Sequence, residues 1–304
     1  MQITEHHNDS CSIDRQPAAA GRDANVRDIA ADIERTLDGL ESVLQSDSPP
    51  AERGCFELTL IVPVYNERGT LPKVLERIDE VMPPNTQTII VDDASSDGTT
   101  EWLSAQPHRP DRTILLRKRN HGKGSAVRLG IRHSRGRVVA IQDADLEYDP
   151  ADLIEVVRPI QRGDCRVVFG SRYLTGNADP SRLHRLGNWA LTAASNCMTG
   201  QRLTDMETCH KAFEGELIRS IVIRECRFGF EPEITGKIAA KGIPIHEVPT
   251  GYQSRGYTDG KKITWKDGVA AIACMWRYRT TGWPKRLVHG SGRVIKRLFD
   301  RRRG

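Results

Sequence analysis

The sequence predicts an α/β fold with a mostly parallel sheet that carries helices on both faces. From residue 57 onward, short apolar runs alternate with segments of helical spacing. The runs are apolar almost throughout, which is typical of strands that are buried on both sides. Each apolar run is separated from the next by a segment long enough for about one helix. Adjacent parallel strands need a connection of this kind.

The elements follow in a regular order along the chain. Strands are predicted at 57–64, 88–91, 113–116, 138–141 and 166–169. Helices are predicted between them, at 70–81, 97–105, 123–134 and 150–161. Ligands bind such sheets beyond the carboxyl ends of the strands, so functional residues are expected there.

The main domain, predicted at 55–276, lies between two segments of different composition. Residues 1–54 form a polar extension with one amphipathic helix, whose apolar residues recur three and four apart between 29 and 44. That helix could pack on the main domain or on a second copy of the chain, so an oligomer is a prediction that light scattering of a chain lacking residues 1–50 can check.

Charge distinguishes the two ends of the chain. Residues 1–50 carry a net charge of −6, whereas residues 277–304 carry 10 basic side chains and 1 acidic one, a net +9. A basic tail on a nearly neutral body predicts contact with a polyanionic surface, either anionic membrane lipid or nucleic acid. The tail has apolar residues at helical spacing between 294 and 299. This spacing is equally compatible with an interfacial helix and with a frayed terminus.

Composition also predicts where the protein works. The longest apolar run, 269–276, is far shorter than the roughly 20 residues of a membrane-spanning helix, and the first residues do not resemble an export signal. The seven cysteines have neither metal-site spacing nor the density of a disulfide-rich domain. We therefore expect a cytoplasmic protein with reduced thiols.

Polar and acidic residues cluster after three of the predicted strands. They are Pro63, Tyr65, Asn66 and Glu67 after the first, Asp92, Asp93 and Asp97 after the second, and Asp143, Asp145 and Glu147 after the fourth. The alternate carboxylates of the last cluster project oxygens to one side, which suits Mg²⁺ or Mn²⁺ bridging a substrate diphosphate. There is no histidine and cysteine set of the kind that holds zinc tightly.

Five ordered motifs resemble those of family 2 glycosyltransferases, most of all the dolichol-phosphate mannosyltransferase and polyprenyl-phosphate glycosyltransferase branch. They begin at Val62 (VPVYNE), Val91 (VDDASSDGT), Asn120 (NHGKG), Asp143 (DAD) and Gly170 (GSRY). The resemblance covers about residues 57–275. It implies a Rossmann-like GT-A fold, a nucleotide-sugar donor, a divalent cation and inversion at the anomeric carbon.

The resemblance also implies roles for single residues. Pro63, Tyr65, Glu67 and Asp92 would hold the base and ribose of the donor, Asp143 and Asp145 would act at the ribose and the metal, and Glu147 would be a further metal ligand. Cations that would grip donor and acceptor phosphates are Arg172, Arg185, Arg255 and Lys262. Lys123 lies between two glycines at a predicted helix start, where it suits an anion or is an ordinary residue of the first turn.

One motif departs from the pattern of that branch. Asp205 matches an aspartate of the branch, but the residues that follow it, Met-Glu-Thr-Cys-His, do not. A lipid monophosphate acceptor would already be anionic at neutral pH and would need no general base. A saccharide hydroxyl would need one, and Asp205 and Glu231 are then the candidates. Replacing Asp205 by asparagine should therefore affect the two reactions differently.

Three functions stay open on the sequence alone. The first is transfer of a hexose to a polyprenyl or dolichyl phosphate by a peripheral enzyme on the inner face of the cytoplasmic membrane. The second is transfer to a saccharide hydroxyl in envelope or polysaccharide synthesis. The third is nonenzymatic nucleotide or nucleic-acid binding, which the aspartate pair and the lack of interleaved aromatic and basic residues disfavour.

Overall fold

The computed structural model describes residues 56–174, 181–227, 229–253 and 265–279. The described strands form one seven-stranded sheet in the order β3-β2-β1-β4-β6-β5-β7. They are β1 (Phe56–Val64), β2 (Thr86–Asp92), β3 (Arg112–Leu116), β4 (Gly136–Ile141), β5 (Val167–Ser171), β6 (Lys211–Glu214) and β7 (His246–Pro249). Only β6 runs antiparallel to its neighbours, β4 and β5.

The helices of the described residues lie in the connections and after the sheet. They are α1 (Leu71–Val81), α2 (Thr99–Ser104), α3 (Lys123–His133), α4 (Leu153–Gln161), α5 (Arg182–Thr199), α6 (Gly215–Arg219), α7 (Phe230–Ala240) and α8 (Trp265–Tyr278), with a 3₁₀ turn at Pro150–Asp152. The five predicted strands and four predicted helices are confirmed to within a few residues. The helix predicted within 29–44 and nearly all of the basic tail fall outside the described residues.

The core consists of two apolar layers, one on each face of the sheet. Alternate residues of β1 point to opposite layers: Leu60 and Val62 pack with α1 and α4, whereas Ile61 packs with α3 and α7. All three are fully buried. This two-sided burial is the reason that the strand is apolar almost throughout.

Strand register brings the ends of β1, β2 and β4 to the same edge of the sheet. Val64 pairs with Asp92 on one side of β1, and Ile61 pairs with Ile141 on the other. The loops after these three strands each contain one non-glycine residue with positive φ: Asn66 (56°), Ala94 (62°) and Leu146 (62°). Such conformations are costly and cluster at functional sites, which makes this edge the first place to look for one.

Glycines let the start of α3 lie directly against the backbone of residues 225–227. A Cβ on Gly124 would lie 2.5 Å from the carbonyl oxygen of Glu225 and 2.9 Å from that of Arg227. Gly122, which precedes the helix, has φ +92° and would place a Cβ 2.5 Å from the carbonyl oxygen of Cys226. The close approach therefore depends on both glycines.

Gly124→Ala is expected to lower the free energy of unfolding by about 1–3 kcal/mol, because backbone atoms must move to admit the methyl group. Gly187→Ala is the matched control, since Gly187 also lies in a helix but a Cβ added there would meet no atom within 4 Å. That control should raise stability by about 0.5–1 kcal/mol. Urea unfolding of the three proteins makes the comparison, and equal stability of the two variants would contradict the close approach.

Candidate active site

Asp92, at the end of β2, organises the loop that follows it. Its buried carboxylate accepts hydrogen bonds of 2.5 Å from the hydroxyl groups of Ser95 and Thr100. Ser95 Oγ in turn accepts a bond of 2.8 Å from the backbone N–H of Asn66. Asp92 therefore joins the loops after β1 and β2, and its contact with a nucleotide stays a prediction.

The loop after β1 also reaches the aspartate pair. The Thr70 hydroxyl lies 2.8 Å from Glu67 Oε2 and 2.8 Å from the carbonyl oxygen of Ala144. Pro63 is buried at the end of the strand, whereas the Tyr65 side chain is 37% exposed. The structure thus places Glu67, one of the predicted donor-binding residues, next to the Asp143–Asp145 turn.

Lys123 is held by two carboxylates from different elements. Its Nζ lies 3.0 Å from Asp143 Oδ1 and 3.4 Å from Glu231 Oε1. Burial opposes the charge of Lys123, but Asp143 and the other nearby anionic groups outweigh it and hold the pKa of Lys123 well above its ordinary value. Burial likewise opposes the charge of Asp143, whose pKa is nevertheless lowered, above all by Lys123. Both side chains are therefore charged at neutral pH.

Asp145 and Glu147 lie half-buried on the turn after β4. The backbone N–H of Glu147 donates to Asp145 Oδ1 at 3.1 Å, and the Tyr252 hydroxyl donates to Glu147 Oε2 at 3.2 Å. Among the described residues, no three His, Cys, Asp or Glu side chains are grouped to hold a metal by themselves. Mg²⁺ is often held by one or two carboxylates together with substrate phosphates, so this all-oxygen set fits a cation that binds with a diphosphate.

Arg172, just after β5, forms a bidentate ion pair with Asp205. Nε lies 2.6 Å from Oδ2 and Nη2 lies 2.7 Å from Oδ1, and Asp205 is fully buried. Asn188 of α5 donates to the same carboxylate at 3.0 Å, and Glu247 accepts from the backbone N–H of Asp205 at 3.0 Å. Burial raises the pKa of Asp205, but the Arg172 guanidinium more than offsets this and the pKa is lowered. Asp205 is thus a poor proton acceptor at neutral pH.

Glu207 and Glu231 form a second acidic pair, which the sequence motifs do not join. Glu231 Oε2 and Glu207 Oε1 are both buried and have no hydrogen-bond partner in the described structure. Burial, with the charge of Glu231 next, raises the pKa of Glu207 to about 7. Lys211, in the first position of β6, is the nearby buried cation, and burial lowers its pKa. A signal for this cluster existed, since Glu207 lies in the motif that departs from the family pattern.

His210 connects β6 to the aspartate turn through Gln142. The Gln142 amide N–H₂ donates to the carbonyl oxygens of Asp143 and Tyr148, each at 3.0 Å, so Gln142 Oε1 must accept from His210 Nε2 at 3.0 Å. His210 Nδ1 then accepts from the Thr250 hydroxyl at 2.9 Å. This arrangement requires the neutral ring, and burial lowers the pKa of His210 to about 3.

Of the remaining predicted phosphate ligands, one lies within the described residues. Arg185 is exposed on α5, the helix that supplies Asn188 to the Asp205 carboxylate. Arg255 and Lys262 fall outside the described residues. The described site therefore consists of a carboxylate turn after β4, with Lys123 beside it, and a separate Arg172–Asp205 pair after β5.

A mostly parallel sheet with charged residues beyond the ends of its strands is typical of α/β proteins that bind their ligands at this edge. The family model for "Glycosyl transferase family 2" matches residues 59–224, more than half of the chain. The chain belongs to this family and is a glycosyltransferase with the GT-A fold. The resemblance of its motifs is confirmed.

Curated relatives share the same core. An undecaprenyl-phosphate mannosyltransferase of Micrococcus luteus is 31% identical over 212 residues, which cover 66% of this chain and 85% of the relative. An undecaprenyl-phosphate 4-deoxy-4-formamido-L-arabinose transferase of Photorhabdus laumondii is 28% identical, covering 79% of this chain and 72% of the relative. Both names describe sugar transfer to a polyprenyl phosphate.

Among solved structures, a glucosyl-3-phosphoglycerate synthase from Mycobacterium tuberculosis, crystallised with Mn²⁺, UDP and glucosyl-3-phosphoglycerate, superposes with a TM-score of 0.55. It is 17% identical and the match covers 74% of this chain and 80% of that one. At this identity the likeness concerns the fold.

No helix in the described ranges is both long and apolar enough to cross a bilayer.

Proposed function

We propose that this enzyme transfers a hexose from a UDP- or GDP-sugar to a polyprenyl or dolichyl phosphate, with inversion at the anomeric carbon. The observation that carries the proposal is that Asp205 is ionised and paired with Arg172. Asp205 is committed to Arg172 and its pKa is lowered, so it is a poor general base. A phosphate acceptor needs no base, because its oxygen is already anionic at neutral pH. The names of the curated relatives support the same acceptor class.

The residues have distinct roles in this reaction. Asp143, Asp145 and Glu147 would hold Mg²⁺ or Mn²⁺, which when bound neutralises charge on the leaving nucleoside diphosphate. Pro63, Tyr65, Glu67 and Asp92 shape the donor side. Lys123 keeps Asp143 ionised and adds positive charge at the diphosphate. The chain's own contribution is positioning and charge stabilisation at the reacting phosphate oxygens.

On the acceptor side, the Arg172 guanidinium is held by Asp205 and lies 5.2 Å from the centre of the Tyr252 ring. A guanidinium that is fixed in this way loses little conformational freedom when it binds a phosphate. Arg185, Arg255 and Lys262 are proposed to bind phosphate oxygens as well. The acceptor also implies a location, with the protein on the cytoplasmic face of the membrane and the basic tail at the anionic lipid surface.

The test is a transfer assay with Mn²⁺ and a panel of labelled UDP- and GDP-sugars, with and without undecaprenyl or dolichyl phosphate, counting label in the organic phase. Asp145→Ala and EDTA are each expected to lower the transfer rate by at least about a hundredfold. Asp164→Ala is the control, because Asp164 is an exposed aspartate beyond α4. Label that persists in Asp145→Ala would contradict the assigned role of the aspartate turn.

A saccharide hydroxyl is the second candidate acceptor, and one observation favours it. Glu207 has a pKa of about 7, which suits a general base. If no lipid is labelled but the donor is hydrolysed in a metal-dependent way, saccharide acceptors are tested next. Glu207→Gln should then remove transfer to the saccharide, whereas a phosphate acceptor predicts transfer that persists.

A further inference from the structure

Helix α5 carries large apolar side chains on the side that faces away from the core. Thr192 and Ser195 are 4% and 1% exposed, and Asn188 on the same side makes partly buried hydrogen bonds. By contrast, Leu186 and Trp189 are 60% and 66% exposed. Leu191, Ala194 and Met198 of the same helix pack against the core, so the exposed apolar residues form a second apolar side that an ordinary surface helix lacks.

Helix geometry shows that the exposed apolar residues form one face. At 3.6 residues per turn, Leu186, Trp189, Ala190 and Ala193 lie on the side opposite Asn188. Ala190 and Ala193 are exposed as well. We call this set of four residues the outer face of α5. A continuous exposed apolar face marks an interaction site rather than chance exposure of single residues.

The neighbouring helix α8 adds a similar exposed set. It contacts α5 directly. Its residues Ala271 and Met275 are buried in the core, whereas Ile272 and Trp276 are 48% and 62% exposed. The Arg279 guanidinium lies 3.7 Å from the centre of the Trp276 ring. An exposed tryptophan that is covered by arginine is typical of the boundary between lipid and water.

The outer face of α5 is one helix width from the acceptor side of the candidate site. Asn188, on the inner side, donates to Asp205 Oδ1 at 3.0 Å and to the Tyr173 hydroxyl at 2.8 Å. Asp205 holds Arg172. Since a helix with its side chains is about 10 Å across, a lipid at the outer face lies within reach of a phosphate at Arg172.

We propose that the outer face of α5, together with Ile272 and Trp276 of α8, docks on the surface of a bilayer that contains anionic lipid. The proposal rests on the proposed function, because only a lipid acceptor requires the site to face a membrane. Charge favours lipid as the occupant. Residues 279–304, which follow α8 in the sequence, carry 9 basic side chains and 1 acidic one, and a segment of this charge is attracted to anionic lipid.

The first experiment is co-sedimentation of the full chain with vesicles of equimolar phosphatidylglycerol and phosphatidylcholine. Binding is expected to fall at least about tenfold in Leu186→Glu/Trp189→Glu and in Trp276→Glu. Ala105→Glu is the control, because it adds the same charge at an exposed position next to α2. Each substituted residue is exposed, so the thermal midpoint of every variant should match that of the wild type. Unchanged vesicle binding in folded variants would overturn the proposal.

The second experiment separates docking from catalysis. The α5 double variant should transfer sugar poorly to a long-chain polyprenyl phosphate embedded in vesicles, yet at the wild-type rate to a short, water-soluble polyprenyl phosphate. If it uses both acceptors like the wild type, docking through α5 is wrong and the proposed function stands. If the wild type uses neither acceptor but binds vesicles, and the double variant does not bind them, the proposed function fails and docking stands.

Light scattering tests another occupant of the same surface, a second copy of the chain. The docking proposal expects the same mass for the wild type and the α5 double variant in the absence of lipid. A dimer that becomes a monomer in the variant, with vesicle binding unchanged, would assign the surface to self-association and overturn the proposal.

Discussion

Asp205→Ala is expected to lower the free energy of unfolding by about 3–5 kcal/mol and kcat/KM for sugar transfer by about a hundredfold or more. Asp205 is fully buried and the Arg172 side chain is only 14% exposed. Without the carboxylate, a buried guanidinium keeps its charge but loses two short hydrogen bonds. Arg172 also loses its fixed orientation, which accounts for the effect on catalysis.

Two controls identify the cause of this loss. Arg172→Met/Asp205→Ala removes both charges, so it should recover much of the stability but none of the activity. Glu155→Ala breaks an exposed pair with Arg158, whose side chains are 56% and 43% exposed, and should cost no more than about 1 kcal/mol. If Asp205→Ala unfolds at the same urea concentration as Glu155→Ala, the buried pair does not stabilise Arg172 as described.

Asp205→Asn distinguishes the two acceptor classes. With a phosphate acceptor, the amide keeps part of the contact with Arg172 and activity should fall only moderately. A hydroxyl acceptor that relied on Asp205 as base would lose nearly all activity, because an amide cannot take the proton. The rate of the folded variant with each acceptor decides between them.

Glu207→Gln is expected to stabilise the protein in a pH-dependent way, with no effect near pH 4 and up to about 3 kcal/mol above pH 7. The cause is the rise of the Glu207 pKa from 4.5 to about 7 in the folded state, through burial and the charge of Glu231. Between these values the native state keeps a proton that the unfolded chain has released. Stability of the wild type is therefore lost as pH rises through this range, and the amide removes that loss.

The charged groups around Glu207 explain why its proton is retained. Three buried or half-buried cations, Lys123, Lys211 and Arg172, are balanced by the anions Asp143, Asp205 and Glu231. Glu207 is a fourth acid in this set, and its Oε1 has no hydrogen-bond partner in the described structure. Ionising it would place an unbalanced charge in a buried position.

His210 contributes in the opposite direction. Its pKa falls from 6.5 to about 3 on folding, so the unfolded chain binds more protons between these values and stability rises with pH. The two effects oppose each other between pH 4.5 and 6.5 in the wild type, whereas Glu207→Gln leaves the His210 effect alone. Urea unfolding of both proteins from pH 4 to 8 measures the difference.

The control for this series is Glu216→Gln, the same change at an exposed position of α6. Its effect should stay within about 0.5 kcal/mol at every pH. A constant difference between Glu207→Gln and the wild type across the whole range would show that Glu207 ionises normally in the folded protein.

The local sequence pattern was sufficient to predict the part of the fold in which strands and helices alternate. The strands and helices from 57 to 169 were predictable because their periodicity and flanking turns are properties of neighbouring residues. β6 and β7 were not predicted, since strands of four residues carry little periodic signal. The antiparallel insertion of β6 between β4 and β5 depends on the path of the chain after α5.

The candidate site also has a part that the sequence predicts and a part that only the structure shows. The sequence by itself determined that Asp143, Asp145 and Asp92 follow strand ends, and parallel pairing then brings them to one edge. Only the tertiary structure joined Arg172 to Asp205, which are 33 residues apart, and made Glu207 and Glu231 neighbours. Helix α5 shows the reason: which of its apolar residues meet the core and which stay exposed depends on contacts between distant segments.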